Sequence, residues 1–241
     1  MPFGTPAWPI SMRLVAGRGQ TPLAAHSRDA DPGHGGQEAF DAFGILLGFQ
    51  GTAIHDGWAP YRKYDCRHGL CNAHHLRELM LVHEQYGQRW AKNRIDLLVA
   101  VNRDVADGPL SDDRMAQINA DYTAILAKGD TIHPIKKRKD GTAHRGQSTP
   151  INLLRHLREY CEDVLRFLSD PEVPFTNNIA EQAVRMPKVK QKISGCFRTF
   201  DGAAAFCTIR SYLETLRKQG VDLLHALVQS FQGETPQPTI G

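Results

Sequence analysis

The sequence predicts an α/β core interrupted by a large α-helical insertion. Three observations carry this reading. Two short runs, TAIHD (52–56) and RHGLCNA (67–73), read as strands, the first β-branched and apolar. From residue 74 to about residue 168 the periodicity is almost continuously helical. After that block comes a further helix, IAEQAVRMPKVK (179–190), with an acid in its first turn. The order is therefore helix, strand, strand, a long helical block and an acid-bearing helix. The expected organisation is an irregular segment (1–36), a first part of the core (37–80), the insertion (81–170) and a second part of the core (171–241).

Taken in order, residues 1–36 are rich in Gly, Pro and Ala and show neither helical nor alternating apolar spacing. Their composition predicts a loosely packed segment, since little apolar area is available against the entropy of ordering. QEAFDAFGILLGF (37–49) has Phe40, Phe43, Leu46 and Leu47 at helical spacing and meets a stop at Gly48. Strand 52–56 ends on Asp56, where Gly57 lets the chain turn. The insertion reads as helices over 74–87, 89–107, 111–129 and 148–168, with a basic loop, IKKRKDGTAHRGQ, at 135–147. Asn177 or Asn178 is the expected cap of the helix that carries Glu181. A helix over 203–220 stopped by Gly220 and a short helix over 222–231 complete the chain.

Composition sets limits on function. With 41% apolar and 23% charged residues the chain is of ordinary globular type. A net charge of +3 is too small to imply nucleic acid by itself, so a basic signal has to come from local clustering. Five scattered cysteines point to reduced thiols and a cytoplasmic setting. No apolar run approaches the length of a membrane span, so no membrane partner is expected.

The stretch HDGWAPYRKYDCRHGLCNAHHLREL (55–79) concentrates two cysteines, four histidines and two aspartates. One reading is zinc held by Cys66, Cys71 and His74. On an extended RHGLCNA the two cysteines, five apart, fall on opposite faces, and no second ligand pair has the spacing of a structural zinc site. The other reading is a hard-cation site at Asp56 with the thiols as packing groups. Asp56 ends an apolar strand, the place where α/β sheets present rigidly held groups to ligands. Glu181 is followed by Arg185, Lys188, Lys190, Lys192 and Arg198 with no acid between. An acid followed by cations suits a divalent metal acting on a phosphodiester, because magnesium takes oxygen ligands and a metal pair stabilises both attacking and leaving oxygens. Two acids that serve one metal pair must converge in the fold.

At these residues a family resemblance enters. HDGWAPYRKYDCRHGLCNAHHLREL, followed by VPFTNNIAEQAVRMPKVKQKISGCFRT (173–199), resembles the transposases of the insertion sequence 66 family, a DDE class of bacterial mobile elements. The resemblance implies a ribonuclease-H-like core with a helical insertion between the second and third catalytic acids. Asp56 would be the second acid and Glu181 the third, together holding two Mg²⁺ ions. Cys71-Asn72-Ala73-His74 matches a C-x-x-H signature after the second acid, which gives His74 and Cys71 supporting roles. Asn177 and Asn178 match the asparagines before the glutamate. DNA at the element ends would be held by Arg185, Lys188, Lys190, Lys192 and Arg198 and by the loop residues Lys136, Lys137, Arg138 and Lys139. The implied partners are DNA, further copies of the chain in a transposition complex, and accessory proteins of the element.

One departure stands beside the match. MRLVAGRGQ (12–20) resembles the segment that follows the family's first acidic motif, Asp-Glu-Thr, yet the preceding TPAWPIS has no acid. Asp29, Asp31 and Asp41 are poor replacements. The first two lie in a Gly/Pro-rich stretch and the third on an amphipathic helix. One back-translation of LAAHSRDADPGH (23–34), read one base later, gives WLHTVATQTLA, which alternates as a strand hairpin does. The expectation is a truncated transposase with an incomplete N-terminal hairpin, weak metal binding and little activity. The alternative is a catalytically dead DNA-binding or interaction module that modulates the full-length enzyme.

Overall fold

The structure is a computed structural model, and it describes residues 13–15, 41, 46–134, 147–193, 195 and 197–237. It is of mixed α/β type and mostly helical. Two compact units are present, one from Met1–Arg67 with Asn178–Gly241, the other His68–Asn177. The loop residues Lys136, Lys137, Arg138 and Lys139, and Asp29 and Asp31, lie outside the described residues.

In the first unit, strand β1 (Arg13–Val15) runs antiparallel to β2 (Thr52–His55), with Leu14 opposite Ala53. These three residues lie in the segment expected to be an irregular remnant of the first strands, and pairing with β2 supplies the strand. Every residue of β2 is buried, which is why TAIH reads as a continuous run rather than an alternation. A 3₁₀ helix (Ala59–Lys63) with Pro60 in its first turn follows. Strand β3 (Arg67–Leu70) begins where the Arg67 N–H donates to the Gly51 carbonyl at 3.1 Å. Leu46, Ala53, Tyr61 and Tyr64 form a core with Phe49 and Cys66 against it. Of the helix expected over 37–48, residues 37–40 and 42–45 lie outside the described residues, residue 41 is helical and 46–48 form a turn.

The second unit is a helical assembly: α1 (Asn72–Tyr86), α2 (Arg89–Ala106), α3 (Asp112–Ile132), α4 (Thr149–Glu159), α5 (Cys161–Val164) and α6 (Arg166–Ser169). Helix α1 packs on α2, α2 on α3, and α4 on both α1 and α3. Leu79, Trp90, Leu98, Ile118, Tyr122, Leu154 and Leu157 fill the interior. Two expectations need correction. The run 67–73 is not all strand, because the helix starts at Asn72 and β3 stops at Leu70. The helix expected over 148–168 breaks at Tyr160 and Leu165, whose backbones leave helical geometry (φ −111°, ψ 30° and φ −99°, ψ 7°).

The remaining helices belong to the first unit: α7 (Asn178–Ile193), α8 (Phe200–Lys218) and α9 (Leu223–Phe231). Helix α7 continues through Pro187, which has no N–H to donate. Thr199 caps α8 by accepting from the Gly202 N–H, and Asp222 caps α9 by accepting from Leu224 and His225. Among the described residues no helix is long and apolar enough to cross a membrane.

The helical unit carries an unusual polar interior. Arg94 is fully buried, with its guanidinium carbon 3.1 Å from the centre of the Tyr122 ring and one N–H donating to the Tyr122 carbonyl at 3.1 Å. Burial lowers its pKa to about 10. The Tyr122 hydroxyl donates to the Leu157 carbonyl at 2.7 Å. His75 is buried beside His156, ring centres 5.6 Å apart, and burial lowers its pKa to about 3, with His156, His74 and Arg94 adding to the effect.

Two outcomes follow for stability. An Ala side chain at position 129 would place Cβ 2.5 Å from Leu154 Cδ2 and 3.2 Å from the Trp90 ring, both buried. Overpacking costs about 1–3 kcal/mol, against a gain of about 1 kcal/mol in helix propensity. Gly129→Ala should therefore lower the melting temperature, and adding Leu154→Ala should reduce the penalty attributable to Gly129→Ala in a double-mutant cycle. His75 has a folded pKa below its unfolded value of about 6.5, so the unfolded chain binds a proton that the folded chain refuses. Its contribution is fully present above about pH 6.5 and is lost as pH falls from there towards 3. Melts of His75→Gln should decline less steeply than wild type between about pH 6.5 and 4. Parallel curves would show that His75 is not the group responsible.

Candidate functional site

Asp56 sits one residue past the end of β2, and the turn there is tightly built. Its Oδ1 accepts from the Trp58 N–H at 3.1 Å, an Asx turn, and Gly57 takes φ 90°. The Gly57 N–H donates to His55 Nδ1 at 3.0 Å, and the His55 ring stacks on Tyr61 at 4.3 Å and 17°. Trp58 meets Tyr61 edge-on at 6.3 Å. Asp56 is thus an exposed carboxylate on a buried, hydrogen-bonded base. Its charge and, more strongly, burial push the Tyr61 hydroxyl well above the usual phenol range, so Tyr61 stays protonated.

Glu181 lies in the first turn of α7, half-buried, and belongs to the same unit as Asp56. Arg185 and Lys192, four and eleven residues on, share its face of the helix by spacing and are exposed. Lys188 and Lys190 lie on the same helix, and Arg198 is exposed just beyond it. Asp41, the described candidate for a replacement first acid, is exposed, with Oδ1 accepting from the Tyr64 hydroxyl at 2.7 Å.

The C-x-x-H segment and the asparagine segment are joined inside the second unit. Cys71 is buried, and its Sγ accepts from the Asn177 N–H at 3.1 Å. The Asn72 N–H donates to the Phe175 carbonyl at 3.0 Å. The Asn72 side chain, also buried, donates to the Val164 carbonyl at 3.0 Å. The Cys71 thiol is therefore more than packing, since it anchors the backbone that precedes α7. His74 is half-buried in the first turn of α1, with its N–H donating to the Cys71 carbonyl. Asn177 is buried, and Asn178 is the exposed first residue of α7. Cys66 is half-buried, and burial raises its thiol pKa, which works against a thiolate ligand there. Asn72 is the residue that the sequence reading passed over. A polar amide at the junction of strand and helix was the available signal.

The decisive comparison covers both blocks. A family profile described as Transposase IS66 family matches residues 29–205. The chain belongs to the IS66 transposase family. No curated protein and no solved structure matches it. In this IS66 transposase chain, Asp56, Cys71, His74, Asn177, Asn178 and Glu181 all fall within the matched range. The donor types suit a hard cation at the acids, because both offer carboxylate oxygen and Asp56 is accessible on a fixed turn.

Removing the Cys71 acceptor tests the join. Cys71→Ala leaves the buried Asn177 N–H without its sulfur partner, a loss of about 1–3 kcal/mol. Cys71→Ser keeps an acceptor and should recover part of that stability in urea denaturation. Equal stability of the two variants would mean that the contact carries no energy.

Proposed function

We propose that this chain is the catalytic part of a DDE-type transposase on a ribonuclease-H-like core, acting on element-end DNA through Asp56 and Glu181. The observation that carries it is Asp56 itself, an exposed carboxylate at the end of a buried strand in a chain of the IS66 transposase family. Asp56 and Glu181 would hold Mg²⁺ through carboxylate oxygens, with His74, Cys71, Asn177 and Asn178 keeping the surrounding backbone in place. Two bound Mg²⁺ ions would supply activation of the attacking water or 3′-hydroxyl and stabilisation of the leaving oxygen. Arg185, Lys188, Lys190, Lys192 and Arg198, with the loop 136–139, would neutralise DNA phosphates. The segment TPAWPIS offers no first acid, which leaves two carboxylates at a site that needs three. Metal affinity and cleavage by this chain alone are accordingly near background, and binding outlasts catalysis. A dead DNA-binding module that modulates an intact transposase is the second reading, favoured by the same missing acid.

DNA binding and cleavage separate under test. Binding should be steeply salt-dependent, with a log–log slope of about −0.9 per phosphate neutralised. Changing Lys188, Lys190 and Lys192 together to Ala should flatten that slope by about three units. Restoring an Asp-Glu-Thr strand ahead of residue 12 and an in-frame hairpin over residues 20–36 should bring back Mg²⁺-dependent nicking, and Asp56→Asn or Glu181→Gln in the repaired protein should abolish it. A repaired protein that binds DNA and nicks equally well with Asp56→Asn would remove Asp56 from the catalytic set.

A further inference from the structure

We propose that His55 is a positioning residue for Asp56: its Nδ1, through the Gly57 N–H, sets the direction of the carboxylate and thereby how well that acid holds a divalent cation. This rests on the metal-binding reading of Asp56 above and adds to it a residue that acts on the acid through the backbone.

The geometry is a pair of interlocked turns. Each of two successive side chains accepts from the backbone N–H two residues on, His55 Nδ1 from Gly57 at 3.0 Å and Asp56 Oδ1 from Trp58 at 3.1 Å. The carboxylate is therefore aimed by the Trp58 N–H, which lies one peptide beyond the N–H that His55 fixes. Gly57 stands between the two at φ 90°, with no side chain to restrict its backbone. It is the point at which the turn would drift if its N–H were released. With Oδ1 held by the backbone, Oδ2 is the oxygen left for a cation.

The chemistry of position 55 calls for a nitrogen and not merely a ring. A backbone N–H can only donate, so Nδ1 is the acceptor and the imidazole is neutral with its proton on Nε2. His55 closes a strand whose other residues are Thr52, Ala53 and Ile54, and it is fully buried. Burying an imidazole costs free energy that an apolar ring in the same place would not. The Tyr61 ring, 4.3 Å away and 17° from parallel, fixes the plane in which Nδ1 lies. Phe would serve that stack equally well, but it would leave the Gly57 N–H without an acceptor. Side chains that orient a metal-binding group in this indirect way typically change metal affinity about 10–100-fold when they are replaced.

The test is a Mn²⁺ titration of the full ¹⁵N-labelled chain, read as broadening of the Gly57 and Trp58 amide signals, which registers weak binding. Melting curves are recorded beside it. His55→Asn keeps an oxygen acceptor near the place of Nδ1 and loses the ring. His55→Phe keeps the ring and loses the acceptor. Stability and affinity should part company between the two. The Asn variant should melt lowest yet bind Mn²⁺ nearly as wild type does. The Phe variant should melt closer to wild type and bind about 10–100-fold more weakly. Equal affinity of His55→Phe and wild type, or affinity that follows melting temperature with Asn the weaker binder, would reduce His55 to packing and overturn the proposal. Should His55→Asn fail to fold by circular dichroism, His55→Gln supplies the acceptor in its place. Wild-type signals that ignore Mn²⁺, or that broaden equally in Asp56→Asn, would instead remove Asp56 as a metal ligand, and this inference with it.

Discussion

The constraint on which the helical unit depends is the join between residues 71–72 and residues 175–177. Two hydrogen bonds, Asn177 N–H to Cys71 Sγ and Asn72 N–H to the Phe175 carbonyl, bring together backbone that the chain separates by about a hundred residues. The Asn72 side chain extends the join to the Val164 carbonyl, at the end of α5. All the polar groups named here are buried or lie beside buried backbone, so each bond avoids a desolvation loss as well as adding attraction. The helical unit therefore begins and ends at one point. Closing so long a loop costs only slowly increasing entropy, about 0.6 kcal/mol per doubling of length.

The same economy appears at Asp56. A carboxylate at a strand end is useful only if its position does not drift, and here position is set from both sides. The buried strand Thr52–His55 holds the backbone before it, while the Asx turn to Trp58 and the His55–Gly57 contact hold the backbone after it. Gly57 at φ 90° is what lets the chain reverse there, since a side chain at that backbone angle is strained. The aromatic stack of His55 and Tyr61 sits under the turn, and burial keeps Tyr61 protonated, so the acid has no competing anion beneath it.

Inside the helical unit the balance of forces is different. Arg94 and His75 are both buried, and burial lowers the pKa of each, offset in part at Arg94 by Tyr122 and Cys161. Arg94 keeps its charge by resting on the Tyr122 ring and donating to a carbonyl, a cation–π contact strengthened by desolvation. His75 yields instead and stays neutral. The difference follows from their unperturbed basicities, which lie about six units apart.

Much of this protein was legible in the sequence because its signals are local. Helical spacing marked α1 to α4 and α7 to α9, and β-branching and apolarity marked β2. The paired blocks at 55–79 and 173–199 marked the family. These are properties of a few neighbouring residues and survive without knowledge of the fold. Tertiary structure decided the rest. Whether residues 71–73 continue a strand or start a helix depended on Phe175, which holds the Asn72 N–H. The breaks at Tyr160 and Leu165 divide a stretch whose apolar spacing runs on unbroken. The strand at Arg13–Val15 exists because β2 pairs with it, and the thiol of Cys71 became an acceptor because Asn177 was brought to it. Each of these turns on a partner far away in the chain, and periodicity carries no information about distant partners.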